Sequence, residues 1–155
     1  FLYSSTTGAM QMLSGLDDYE GQSVKGMNNR NDLLLGLVDH DSILPSGIKK
    51  WSQGVLSSVD ILSQGPSALN DRGEIVGSKF FSDFARAVII RNGQTLRLDT
   101  MISPAVNLTD FVIYEASRLT NNGEIMVKYA HRPPPSENPQ QYFIYRYGVL
   151  LPNCN

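Results

Sequence analysis

The chain has one cysteine, two histidines and few charges, and each scarcity closes a class of function. Cys154 stands alone, so no disulfide forms within the chain and no cysteine cage for zinc assembles. Its thiol, close to the end in Pro152, Asn153, Cys154, Asn155, is expected to be unpaired and without a role, with a disulfide between molecules as the alternative. Charged residues are 18% of the chain, with 13 Lys and Arg against 15 Asp and Glu and a net charge of −2. Without a clustered basic stripe there is no electrostatic footprint for a phosphate backbone, so no nucleic-acid partner is expected. No apolar run approaches the roughly 18 residues of a membrane-spanning helix, so no membrane span is expected. A basic-then-apolar leader is missing from the first residues, and Phe1, Leu2 and Tyr3 read as mid-strand, so an upstream extension or a cut is expected. His40 and His131 accompany no nucleophile-elbow phrase, and the glycines stand singly rather than in a phosphate cradle. No cofactor is expected. What the chain does have is 41% apolar residues in 155, enough for the core of one domain or a short repeat array.

Self-similarity is the main positive signal. One phrase occurs three times: Met27, Asn28, Asn29, Arg30, Asn31, Asp32, Leu33, Leu34; Leu69, Asn70, Asp71, Arg72, Gly73, Glu74, Ile75, Val76; and Leu119, Thr120, Asn121, Asn122, Gly123, Glu124, Ile125, Met126. Its starts lie 42 and 50 residues apart, in the range of propeller blades. Each copy is hairpin grammar, with Asn31, Gly73 and Gly123 at the position that takes a positive φ. A second hairpin phrase interleaves, turning at Gly8, Gly54, Gly93 and Gly148, the last between Tyr142, Phe143, Ile144, Tyr145 and Val149, Leu150, Leu151. Leu96, Arg97, Leu98, Asp99 alternates with period two, as a strand with one buried face does. Around Phe80 to Arg86, a short helical turn and a strand-connecting loop are both compatible with Ser82 and Asp83.

The expected fold is therefore all-β, with tandem four-stranded antiparallel units arranged like the blades of a propeller, about three and a half in number. The expected units are 1–22 (partial), 23–62, 63–111 and 112–155. In the first full unit the strands are Ser23 to Met27, Leu33 to Val38, Ile48 to Gln53 and Val55 to Ile61. The proline-rich segment from Pro133 to Pro139 interrupts the last unit. Three and a half blades do not close a ring, so further blades or self-association are expected.

The run from Ser67 through Gly77, followed by Ala87, Val88 and the Asn92, Gly93 turn, resembles the HAF repeat of bacterial extracellular repeat proteins. Arg86, Ala87, Val88 and Gln141, Tyr142, Phe143 stand where that family has His-Ala-Phe. The resemblance implies a β-propeller-like protein that is secreted, at the cell surface or periplasmic, and it brings no catalytic residues.

Candidate sites follow from residue chemistry. Asp39, His40 and Asp41 are the most metal-like cluster, but adjacent loop positions rarely converge on one ion, so a solvated loop without metal is expected. Asp17, Asp18 and Glu20 lack the alternating ligand spacing of a calcium loop. Tyr142, Phe143, Tyr145 and Tyr147, with Trp51, are the candidate binding residues, an aromatic platform for a glycan or another subunit. The functional expectation is a non-enzymatic repeat module for binding or self-assembly. The competing expectation is a glycan-active hydrolase or lyase that uses carboxylates such as Asp71, Glu74 and Asp99 at a propeller mouth.

Overall fold

The computed structural model describes residues 2–3, 6–17, 19–39, 45–61, 65, 67–82, 84–103, 111–131 and 145–152. Those residues form β-strands in antiparallel sheets, with no α-helix among them. A hairpin of β1 (Leu2–Tyr3) and β2 (Met10–Gln11) comes first. The first large sheet is β3 (Tyr19–Met27), β4 (Leu33–Asp39), β5 (Pro45–Ser52) and β6 (Val55–Val59), in that order. β7 (Ala68–Leu69), β8 (Ile75–Phe80), β9 (Ala85–Arg91) and β10 (Gln94–Arg97) make the second. The third has β11 (Phe111–Leu119), β12 (Ile125–His131) and β13 (Tyr145–Leu150).

The pattern of apolar residues explains how the sheets stack. Successive strand residues point to opposite faces, and β4 is apolar on both. Its Leu34 joins Ile48 and Ile61 against Leu69, Ile75 and Val88 of the second sheet. Its Leu33, Leu35 and Leu37 turn the other way, with Trp51, onto Leu16. The second sheet repeats the arrangement: Val76, Ala87, Ile89 and Leu98 face away from the first sheet and meet Ile113, Ala116, Ile125 and Val127 of the third. The second sheet is thus the middle layer, with a core on each side.

The turn chemistry is visible in the backbone. Asn31, Gly73 and Gly123 have φ of 62°, 79° and 88°. Gln53 and Gly54 carry the β5–β6 hairpin at 50° and 85°, and Asn92 and Gly93 the β9–β10 hairpin at 51° and 74°, the primed geometry that matches strand twist. Gly8 also has a positive φ, of 67°.

Gly148 is different, and the turn expected there is corrected. It lies within β13, opposite Val127, on one unbroken strand from Tyr145 to Leu150. A Cβ at Gly148 would stand 3.3 Å from the Tyr129 ring, so the glycine makes room for packing rather than for a bend. Likewise the expected strand through Asp99 stops at Arg97, and Leu98–Thr100 forms a 3-10 turn that sends Leu98 into the core. Leu96 to Asp99 alternates as a strand does, but alternation alone does not mark where pairing ends. Between β8 and β9 the chain makes a loop closed by the Phe81 N–H to the Phe84 carbonyl at 3.2 Å. β3 starts at Tyr19, ahead of the expected Ser23.

Leu34 is fully enclosed between the first two sheets. Leu34→Ala is expected to lower unfolding stability by about 2–5 kcal/mol in urea titration, and a loss under about 1 kcal/mol would mean that the interface between these sheets is not a packed core.

Candidate functional site: a row of stacked turns and the cleft beside it

The three repeated phrases form turns of one design. Asn28 Oδ1 accepts from the backbone N–H groups of Arg30 and Asp32 at 3.0 and 2.9 Å. Asn70 Oδ1 accepts from those of Arg72 and Glu74, both at 3.1 Å. Thr120 Oγ1 accepts from Glu124 N–H at 3.1 Å. Backbone bonds close each turn, from Asn31 to Asn28, Gly73 to Asn70 and Gly123 to Thr120, at 3.0–3.1 Å. These are Asx and Ser/Thr turns, in which a short side chain takes the place of a backbone acceptor.

The turns also bond to one another in a row that crosses all three large sheets. Asn28 Nδ2 donates to the Asn70 carbonyl at 3.0 Å, and Asn70 Nδ2 to the Thr120 carbonyl at 3.3 Å. One residue on, Asn29 donates to the Asp71 carboxylate through its backbone N–H and its Nδ2, both at 2.8 Å. Asp71 N–H in turn donates to Asn121 Oδ1 at 2.9 Å, and Asn121 Nδ2 returns a bond to Asp71 at 2.5 Å. A third link is steric: Arg30 Nη2 stands 3.0 Å from where a Cβ on Gly73 would be, and Arg72 Nη2 3.0 Å from the same point on Gly123. Glycine is required there for the left-handed backbone and for the guanidinium laid across it. Asn31, in the first turn, carries a Cβ at that seat.

Carboxylates anchor the row. Glu74, buried, accepts from Asn70 Nδ2 at 2.7 Å, Arg72 Nε at 3.0 Å and Arg91 Nε at 2.6 Å. Burial by itself pushes its pKa up, and the bonds from Asn70, Arg72 and Arg91 more than offset this, leaving it below the usual glutamate value. Asp32, also buried, is lowered in the same way: desolvation opposes, while Ser52, Asn28 and Lys50 prevail. Asp71 is exposed, and the backbone and side-chain bonds from Asn29 lower its pKa. Asp99 is bracketed by Arg97 at 2.5–2.9 Å. Glu74, Asp32 and Asp71 thus have lowered pKa values, whereas a general acid needs a raised one.

Beside the row, between the second and third sheets, opens a cleft of about 780 Å³. Ile89, Leu98, Ile125 and Leu150 line its floor, and Arg72, Arg91, Glu74 and Asn122 its rim.

The residues singled out from sequence fare differently. Trp51 is corrected: it is buried at 3% exposure, its Nε1 donates to the Ser14 carbonyl at 3.2 Å, and it packs under Leu16, so no ligand reaches it. Tyr145 and Tyr147 are exposed at 51% and 67%. Tyr142, Phe143, His40, Asp41, Asp18 and Cys154 lie outside the described residues, and Asp39 ends β4. Among the described residues no group of three or more His, Cys, Asp or Glu side chains is placed to hold a metal. The row itself went unread, although its signal lies in the aligned phrases: Asn, Asn or Thr at the capping position, and Arg, Arg or Asn two residues later. Arg91, on a different strand, left no signal. Comparison of the chain with protein-family models, with curated proteins and with solved structures finds no match.

Two measurements check this row. Gly73→Asn keeps a residue that tolerates positive φ but fills the Arg30 seat, and is expected to cost about 1–2 kcal/mol, whereas Asn31→Gly should change stability by less than about 0.5 kcal/mol. Equal effects would break the link between guanidinium and glycine. The depressed pKa values of Glu74 and Asp32 stabilise the fold above the ordinary carboxylate range, and this stability is lost as pH falls through the lower folded values. Urea midpoints should therefore drop below about pH 5, and Glu74→Gln should be weaker at neutral pH by about 1–3 kcal/mol with a shallower acid limb. A limb as steep as that of the unsubstituted chain would remove Glu74 from the account.

Proposed function

We propose that the chain is a non-enzymatic repeat module, secreted or displayed at the cell surface, whose stacked sheets are propeller-like blades and whose activity is self-association. The observation that carries this reading is the outer face of the third sheet. In β12 and β13 the cross-strand pairs Met126–Val149, Lys128–Tyr147 and Ala130–Tyr145 share one face, opposite the face that packs on the second sheet. Met126, Val149, Tyr147 and Tyr145 are exposed on it. Tyr145 is held in place, with Lys128 Nζ 4.4 Å above its ring and Tyr114 edge-on at 5.8 Å. Tyrosine and methionine on a rigid strand make the kind of surface that protein interfaces favour, large in area and poor in side-chain freedom to lose.

Two further observations support the reading. At the third member of the turn row two of the onward donors are replaced, with Thr120 for the carboxamide and Asn122 for the guanidinium. A partner therefore gains more from the tyrosine face than from adding a fourth turn. The lowered pKa values of Asp32 and Glu74, both ion-paired, and of Asp71, hydrogen-bonded by Asn29 and Asn121, speak against a hydrolase that needs a protonated carboxyl group. The secreted or cell-surface setting rests on the resemblance of the turn phrases to the HAF repeat.

Light scattering across concentration tests the proposal: the chain should form a defined multimer by about 100 μM, and Tyr147→Glu should leave a folded monomer. A monomer before any substitution, or an unchanged multimer after it, would overturn the reading, and dissolution by reductant would transfer assembly to Cys154.

A further inference from the structure

The cleft between the second and third sheets has the attributes of a ligand site, and of the residues exposed on the tyrosine face only Val149 lines it. Its volume, about 780 Å³, lies within the range of small-molecule sites. Its accessible apolar lining is Met101, Leu151 and the half-buried Leu150, backed by the core residues Ile89, Leu98 and Ile125. Its rim is cationic. Arg72 and Arg91 share a single carboxylate, Glu74, so the pair carries one positive charge more than its partner cancels. Both arginine side chains are about half exposed, and Arg91 hydrogen-bonds Glu74 through Nε. Glu74 holds the two arginines from below, so they are positioned before any ligand arrives, which lowers the ordering cost of binding.

We infer that this cleft binds a small amphipathic organic anion, with a carboxylate on Arg91 and Arg72 and an apolar body against Met101, Leu150 and Leu151. An apolar floor alone accepts any greasy molecule of the right size. The surplus guanidinium charge adds selection for an anion, and the planar fork of arginine suits the two oxygens of a carboxylate. A bare inorganic anion would use the rim and forgo the floor.

The test uses 4-phenylbutyrate and its uncharged counterpart 4-phenylbutan-1-ol, titrated into the ¹⁵N-labelled chain and followed by amide shifts. The expected result is saturable binding of the carboxylate, with shifts centred on Asn122 and Gly123, and binding of the alcohol at least about tenfold weaker. Arg91→Met should remove that preference and Arg91→Lys should keep part of it, while both variants retain the shift dispersion of the folded chain. Ile125 lies in the core, so the floor is tested at its edge, where Leu150→Asp should weaken the carboxylate. Equal affinity for the two probes, shifts centred on Tyr145 and Tyr147, or an unchanged preference in Arg91→Met would each overturn the inference. Self-association is read in a separate experiment, so failure here leaves that proposal standing.

Discussion

The carboxamide of Asn70 is the point on which the other interactions depend. It is 2% exposed, and a buried amide with an open donor or acceptor costs about 1–3 kcal/mol. Its oxygen shapes its own turn by taking the N–H groups of Arg72 and Glu74, and its nitrogen is divided between Glu74 and the Thr120 carbonyl of the next turn. Its own carbonyl accepts from Asn28. One residue thus fixes a local turn, a neighbour on either side and the orientation of a buried carboxylate. Sheet packing is non-directional and leaves neighbouring sheets free to slide, whereas this chain of bonds sets their register at one edge.

That register has consequences for the apolar interior. With the turns aligned, β4 and β9 lie in successive layers, so Leu34 meets Val88 and, on the far side of β9, Ile89 meets Ile125. The middle sheet needs side chains on both faces, and its central strand reads as an unbroken apolar run, Ala87, Val88, Ile89, Ile90, for that reason. The third sheet packs one face on the second sheet, with Ile125 and Val127 of β12 inward, and on its other face Met126 is exposed while Ala130 and Val112 are buried. The cleft follows from the same geometry. Sheets pinned at one edge leave space where the 3-10 turn at Leu98–Thr100 stands off from the end of β13, and Glu74, which belongs to the row, brings Arg72 and Arg91 to its rim.

Much of this was legible in the residues, and the parts that were not share a cause. The all-β fold and the left-handed turn positions at Asn31, Gly73 and Gly123 are local properties, since a hairpin turn is specified by its own few residues. Gly148 looked the same in sequence and is not a turn, because what it answers to is the Tyr129 ring on the neighbouring strand, 19 residues away in the chain and invisible to local grammar. Trp51 looked like a binding aromatic and is a core residue for a similar reason: its neighbour Leu16 and its acceptor Ser14 come from the segment before β3. The joining of Arg91 to Glu74 is likewise a product of β-pairing between β8 and β9, which places their ends side by side. Long-range pairing decides each of these cases.

The departures from the repeated phrase are where physical chemistry says most. The middle turn has every device: an Asn that donates onward, an Arg that lies over the next glycine, and a glycine that receives the Arg before it. In the first turn only the receiving device is changed, with Asn31 in place of glycine. In the third turn only the giving devices are changed, with Thr120 for Asn and Asn122 for Arg, while Gly123 still receives Arg72. At the capping position and two residues later, the variation among the three phrases therefore follows the direction in which the row is bonded.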